Sequence, residues 1–247
     1  MILIACGLQR EAKLLAGSGV VAIPGGGDGA RLEATLNDQI ARPPAITLIL
    51  SCGIAGALDP TLRVGDVVLH LSAFPGEGPR PASTVDVVED KHLHPTNPPL
   101  DPGLRRGSAM PDARLEALVE QLPNALRGTI IGRDRIMASP AEKAALCAET
   151  GALAVDMESH VAARVAARHG LPFAAIRVIS DTAHDALPPA ALVGMNPDGS
   201  MALGRVLLSL ARNPAQLPAL IRTGRHAEVA FRTLGKIGEA LRGLTLP

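Results

Sequence analysis

Residues 153–181 read LAVDMESHVAARVAARHGLPFAAIRVISD, and this stretch decides the fold. Residues 153–155 and 173–179 are short runs rich in Ala, Val and Ile without polar alternation, the pattern of strands covered on both faces. Between them, residues 158–169 read as a helix ending in His169-Gly170, a cation in the last turn and a glycine just beyond it. Strands alternating with a helix in this way mean an α/β layer fold around a mostly parallel sheet. The same alternation continues outward. Further strands are expected at 2–6, 20–23, 46–50, 67–71 and 129–131, and helices at 30–41, 111–122 and 141–149. The last of these opens on Ser139-Pro140-Ala141-Glu142, a capping box with proline in the first turn. The class is α/β around a mixed, mostly parallel sheet, in one domain.

Two regions depart from this rhythm. Residues 74–111 hold eight prolines and little periodicity beyond a strand at 84–88, as lids, binding loops and oligomer contacts do. Residues 201–247 are a helical extension of the 1–200 body. Its apolar stripe (Leu217, Leu220, Ile221, then Phe231, Leu234, Ile237, Leu241) is interrupted at Gly224, Arg225 and Glu228, so two shorter helices are expected between 217 and 241. This extension carries a net charge of +5 and the body −5. Peripheral membrane contact through 217–241 is one expectation for a basic amphipathic stretch; packing on the sheet or on a subunit partner is the other.

Composition narrows function. The 247 residues include three Phe, no Tyr and no Trp, in a chain that is 47% hydrophobic. The core must therefore be aliphatic, and base-stacking modes of nucleic-acid binding are excluded. Zero net charge removes any global pull on nucleic acid. The N-terminus lacks a basic signal-peptide region, so a cytoplasmic protein is expected. Cys6, Cys52 and Cys147 fit neither a metal spacing nor a disulfide framework and read as small hydrophobes. No metal ligand set is visible.

Four segments carry candidate chemistry, each with a structural alternative. Residues 25–30, GGGDGA, match the dinucleotide pattern, but the next strand ends in Ser51-Cys52-Gly53 where that pattern needs an acid. A loop whose amides approach an anion, or a tight turn needing positive φ, remains. Residues 51–58, SCGIAGAL, follow a strand; exposed amides for an anion or close packing would both explain the small residues. Asp156-Met157-Glu158 ends one strand with two carboxylates suited to a cis-diol or to a helix N-terminus. Ser180-Asp181 ends another, as a general acid walled by apolar residues or as an Asx turn.

In this order and spacing, GIAGALDPTLRVGDVV (53–68), VDME (155–158) and PFAAIRVISD (172–181) resemble the nucleoside phosphorylase and nucleosidase superfamily, of the purine nucleoside/uridine phosphorylase type. Within it the chain is most similar to hopanoid-associated phosphorylases, through SPAEKAAL (139–146), ALPPAALVG (186–194) and NPDGS (196–200). The resemblance implies a three-layer α/β/α fold, a homo-oligomer, no cofactor, and cleavage of a ribosyl N-glycosidic bond with inorganic phosphate or water as acceptor. By similarity, Asp181 protonates a leaving purine, oriented by Ser180 and Arg177. Glu158 and Met157 hold the ribose, Asp156, Ile136 and Met137 meet the base, and Gly7, Gly27, Ser51 and Gly53 line the acceptor side. The implied reaction is phosphorolysis of an adenosine derivative such as adenosylhopane, a lipid-linked nucleoside, with adenine released. The alternatives are a nucleosidase for methylthioadenosine or S-adenosylhomocysteine and a non-catalytic nucleoside binder.

The departures matter as much. The hydrolytic relatives place a glutamate at the position of Ala12, whereas this chain has Glu11, one residue off, which favours a phosphorylase. Yet residues 45–50 lack the phosphate-binding arginine of some phosphorylases, leaving Arg31, Arg42 or Arg63 for that task. The stacking aromatic is replaced by Ile136 and Met137, so aliphatic and thioether walls are expected around the base. His92, His94 and His184 read as solvated loop histidines.

Overall fold

Ile2–Cys6 (β1) is buried at every position and pairs in parallel with Val20–Pro24 (β2) on one side and Leu48–Ala57 (β3) on the other. The computed structural model describes residues 1–71 and 113–244. The segment 74–111, with its expected strand at 84–88 and with His92 and His94, lies outside them. Beyond β3, Phe173–Asp181 (β8) pairs with it in parallel, and Val67–Leu71 (β4) runs antiparallel to β8. Leu126–Arg127 (β5) lies beside β4, giving the order β2-β1-β3-β8-β4-β5. The far end of β3 also takes Ala154–Asp156 (β7) antiparallel, and β7 pairs with Ile130–Gly132 (β6).

Helices cover both faces. Gly29–Ile40 (α2) and Ser159–His169 (α5) bury Leu32, Leu36, Val161 and Val165 against Leu3 and Ile49. On the other face Gln9–Leu15 (α1), Ala113–Glu120 (α3) and Leu217–Leu244 (α8) bury Leu15, Leu118, Phe231, Leu234 and Ile237 against Ile2, Ile4 and Leu50. This is the expected three-layer α/β/α arrangement, with an aliphatic core and one buried phenyl ring on each face, Phe173 and Phe231. Pro140–Thr150 (α4) starts on the expected capping box, with Ser139 Oγ accepting from Glu142 N at 3.2 Å. Gly170 ends α5 at φ 63°, in the left-handed region.

Three sequence expectations change. The strand expected at 46–50 starts at Leu48 and runs to Ala57, so residues 51–57 are ladder and not a loop of bare amides. Residues 217–241 lie within one 28-residue helix. Gly224 and Ala227 face a cavity while Arg225 and Glu228 face solvent, so the apolar stripe breaks where the helix has no core beneath it. Phe231, Leu234, Ile237 and Leu241 pack inward, each worth about 1.5–3 kcal/mol, so the stripe is spent on the sheet and not on a bilayer. Among the described residues no helix is long and apolar enough to cross a membrane. Pro189–Leu192 (α6) and Leu203–Arg212 (α7) complete the set. Buried Gln216 ties them to the start of α8. It accepts from Ala190 N at 2.8 Å and donates to Ser209 O at 2.8 Å.

Candidate active site

The residue after β1, the second half of β3 and the ends of β7 and β8 meet at a cavity of about 620 Å³. Gly7, Ile136, Met137, Asp156, Met157, Glu158, Ser180 and Asp181 all line it, so most of the residues selected from sequence converge. Arg177, Ser51 and Gly53 do not line it. They form the layer beneath.

Arg177 organises that layer. It points from the middle of β8 and is 0% exposed, an expensive place for a guanidinium unless it is paired. Asp156 lies 2.6 Å from its Nε and Glu158 3.4 Å from its Nη2, and Nη2 donates to Ser51 Oγ at 2.5 Å. Burial opposes the charge, but Asp156, Glu158 and Glu11 outweigh it and hold the guanidinium ionised. Asp156 is consumed in the same network. Its carboxylate accepts from Glu158 N, Ser159 N and the Ser159 hydroxyl, which leaves none of its expected reach toward a base. Glu158 is pushed up to about 8, first by burial, with Asp156 and Glu11 adding to it and Arg177 opposing.

Asp181 is oriented differently from the expectation. Residues 177 and 181 are four apart on an extended strand, roughly 13 Å, so Arg177 cannot steer its carboxyl. Ser180 can: its Oγ lies 3.0 Å from Asp181 Oδ1. The second partner is Lys143, which the sequence reading missed. Its side chain is 0% exposed, and Nζ donates to Asp181 Oδ2 at 2.5 Å, Thr182 O at 2.8 Å and Asp185 O at 3.1 Å. All three ammonium protons are used.

The acceptor side holds the second missed residue. Glu11 sits in the first turn of α1, a helix the sequence reading did not place, and is 1% exposed. Its carboxylate accepts from Gly7 N at 2.6 Å, Leu8 N at 2.7 Å and, across the site, Ile54 N at 2.7 Å. Burial raises its pKa, opposed by the amide of Ile54, the charge of Arg177 and the amides of Leu8 and Gly7. Although one position off, Glu11 lines the cavity together with Glu158. The motif glycines make room for these acids. A β-carbon on Gly7 would lie 3.0 Å from Glu158 Oε1 and 3.3 Å from Glu11 Oε2. One on Gly53 would lie 2.7 Å from both Glu11 Oε1 and Arg177 Nη1, and one on Gly56 3.0 Å from Asp181 Oδ2. Gly27, at φ 76°, turns away into a shallower groove ahead of α2, against the methyls of Met157 and Met195.

None of the arginines expected to meet phosphate lines the cavity. Arg31 donates to Pro24 O, Arg42 pairs with Asp38 at 4.0 Å, and Arg63 lies in the turn before β4. Arg10 and Arg135 do line it, but they pair with Glu228 at 2.8 Å and Glu142 at 2.6 Å. Much of the cavity wall is apolar, formed by Leu187, Ala190, Met201, Val206, Leu220 and Phe231. Phe231 therefore contributes an unexpected ring, capped on one face by Arg10, 4.1 Å from its centroid. Cys6 and Cys52 are buried, their thiols pushed up chiefly by burial, to about 12 for Cys52; Cys147 is partly buried, and His184 is exposed.

Solved structures share this fold. A putative 5′-methylthioadenosine/S-adenosylhomocysteine nucleosidase from Borrelia burgdorferi, bound to adenine, is 17% identical with a TM-score of 0.59, covering 99% of this chain and 100% of its own. An S-adenosylhomocysteine nucleosidase from Streptococcus pyogenes, in complex with 5-methylthiotubericidin, is 18% identical with a TM-score of 0.57, covering 100% and 97%. Futalosine hydrolase from Helicobacter pylori is 17% identical with a TM-score of 0.56, covering 97% and 96%. The sequence model of the phosphorylase superfamily matches residues 6–211, most of the length and every segment that builds the cavity floor, and the chain belongs to that superfamily.

Proposed function

We propose that the protein is a nucleosidase that hydrolyses the N-glycosidic bond of a 5′-substituted adenosine and releases adenine. The observation that carries this reading is Glu11, whose carboxylate lines the cavity and accepts from Ile54 N, next to the acceptor-side Gly53. A phosphate would have to displace Glu11 from the amides of Gly7, Leu8 and Ile54, and the cavity-lining arginines are already paired. Water suits the same place, with a carboxylate to take its proton. In the proposed step the C1′–N9 bond breaks with its electrons passing to the purine. Asp181, oriented by Ser180, passes to N7 a proton drawn from the Lys143 ammonium with which it is paired. Water bonds to C1′ from the opposite face and loses a proton to Glu11, and Glu158 holds the ribose hydroxyls. The apolar wall favours a large hydrocarbon 5′ substituent over an amino-acid one. A lipid-linked adenosine such as adenosylhopane fits that wall, with water replacing phosphate as acceptor.

The test is adenine release from several 5′-substituted adenosines with and without phosphate, with the sugar product identified. Release without phosphate, a free reducing ribosyl product, and a loss of about 10²–10⁴-fold in Glu11→Gln support the proposal. A strict phosphate requirement with a ribosyl 1-phosphate product overturns it in favour of a phosphorylase. Nucleoside binding without any cleavage would leave only a binding domain.

A further inference from the structure

Helix α7 does not follow the packing of the rest. Its sequence, LGRVLLSLAR, has Leu or Val at 203, 206, 207, 208 and 210, yet none of its residues is buried. Leu203 and Leu207 are each 57% exposed and Leu208 52%. Around them Leu192, Val193, Met201, Leu217 and Ile221 are exposed as well, Met201 to 76%. Contiguous exposed apolar surface of this kind marks an interaction site. Its charge says what kind. Residues 199–227 contain Arg205, Arg212, Arg222 and Arg225 and no acid; Arg222 lies 3.8 Å from Asp185 and Arg205 donates to Met195 O and Asn196 Oδ1, which leaves Arg212 and Arg225 for a partner. At 100° per residue, Arg205 and Arg212 fall together on the side of α7 opposite Leu203 and Leu207, with exposed Leu208 on the flank next to the arginines. An apolar stripe with cations on the other face is the pattern of a helix lying in the plane of a lipid interface.

The patch is also continuous with the cavity. Met201 lines the cavity and is the most exposed large apolar side chain in the described structure, while Val206 and Leu220 face inward from α7 and α8. We infer that the outer face of α7, with Met201 and the first turns of α8, docks on an anionic lipid bilayer and sets the mouth of the cavity at the membrane surface. The contact is thus not the stretch 217–241 as a whole, whose second half is buried against the sheet.

Co-sedimentation of the full chain with vesicles tests this, comparing phosphatidylcholine alone with mixtures containing about one-third phosphatidylglycerol. Binding is expected on the anionic vesicles only, weakened about tenfold at about 0.5 M salt. Leu203→Ser, Leu207→Ser and Leu208→Ser together are expected to lower partitioning at least about tenfold. None of the three lines the cavity, so adenine release from a short-chain nucleoside stays unchanged and reports folding. Arg212→Gln with Arg225→Gln, outside the apolar face, should weaken binding to anionic vesicles while leaving the fold intact. Absence of vesicle binding by the wild type, or binding equal in the triple variant, overturns the inference. So does a wild-type dimer that the triple variant splits in sedimentation velocity without any lipid effect. The readout is partitioning, so it stands or falls apart from the acceptor chemistry.

Discussion

Lys143 is the residue on which the acid end of the cavity depends most. It is fully buried and has one carboxylate partner, so removing its charge leaves Asp181 without its counter-ion. Lys143→Met should cost on the order of 3–5 kcal/mol, read as a fall in melting temperature of roughly 2–4 °C per kcal/mol for a chain of this size. Adding Asp181→Asn should recover part of that loss, and a double-mutant cycle with no coupling would show that the pair contributes nothing. Asp181, Glu158 and Met157 were legible in the sequence because they end a strand or directly follow one, where an acid after an apolar run is conspicuous. Lys143 and Glu11 were not. Each has an ordinary local meaning: Glu11 stands three residues into a helix, where acids cap amides, and Lys143 lies in a helix rich in alanine. Lys143 did carry a signal, since it shares the inward face of α4 with Leu146, an apolar position held by a cation.

At the scale of elements, the turn between β2 and α2 joins the body to the loop before α7. Gly26 has φ 63°, and a β-carbon there would run into the carbonyl of Pro197. Gly26→Ala therefore combines backbone strain with displacement of residues 197–199, whose Gly199 carbonyl accepts from Gln9 N at 2.9 Å beside Glu11. A loss of about 2 kcal/mol or more is expected by chemical denaturation, together with a raised KM, whereas Gly151→Ala, also at positive φ but with open space around it, should lose less. Strand and helix positions in the body were legible because their periodicity and caps are local. The length of β3 was hidden because its small residues resemble a turn. The continuity of α8 was hidden because its stripe stops wherever the cavity replaces the core.

For the molecule as a whole, the buried glutamates tie stability to pH. Glu158 rises from an ordinary 4.5 to about 8, and Glu11 moves the same way, both because burial disfavours the anion. The folded state thus keeps protons that the unfolded chain has released above pH 4.5. These groups stabilise most below that value, and their contribution is lost as pH rises toward about 8, then levels off. Glu142, held at about 2 chiefly by a hydrogen bond from Arg135, acts only at lower pH, outside that window. Melting temperature should therefore fall between about pH 5 and pH 8, and Glu158→Gln should flatten the decline; an unchanged slope in that variant would place its origin elsewhere. The layered fold could be read from alternation alone, but the meeting of α1, α4 and β8 around one cavity is a tertiary fact with no local signature. The clasp made by Gln216 has a dynamic consequence. It fastens α6 and α7 through a few hydrogen bonds where the sheet is fastened by dozens of interlocked side chains. Opening of that rim costs little compared with opening the floor. Stiffness and compliance are thereby assigned to separate stretches of chain: β8 and Arg177 hold the cavity floor in register, while α6 and α7 hang on the clasp.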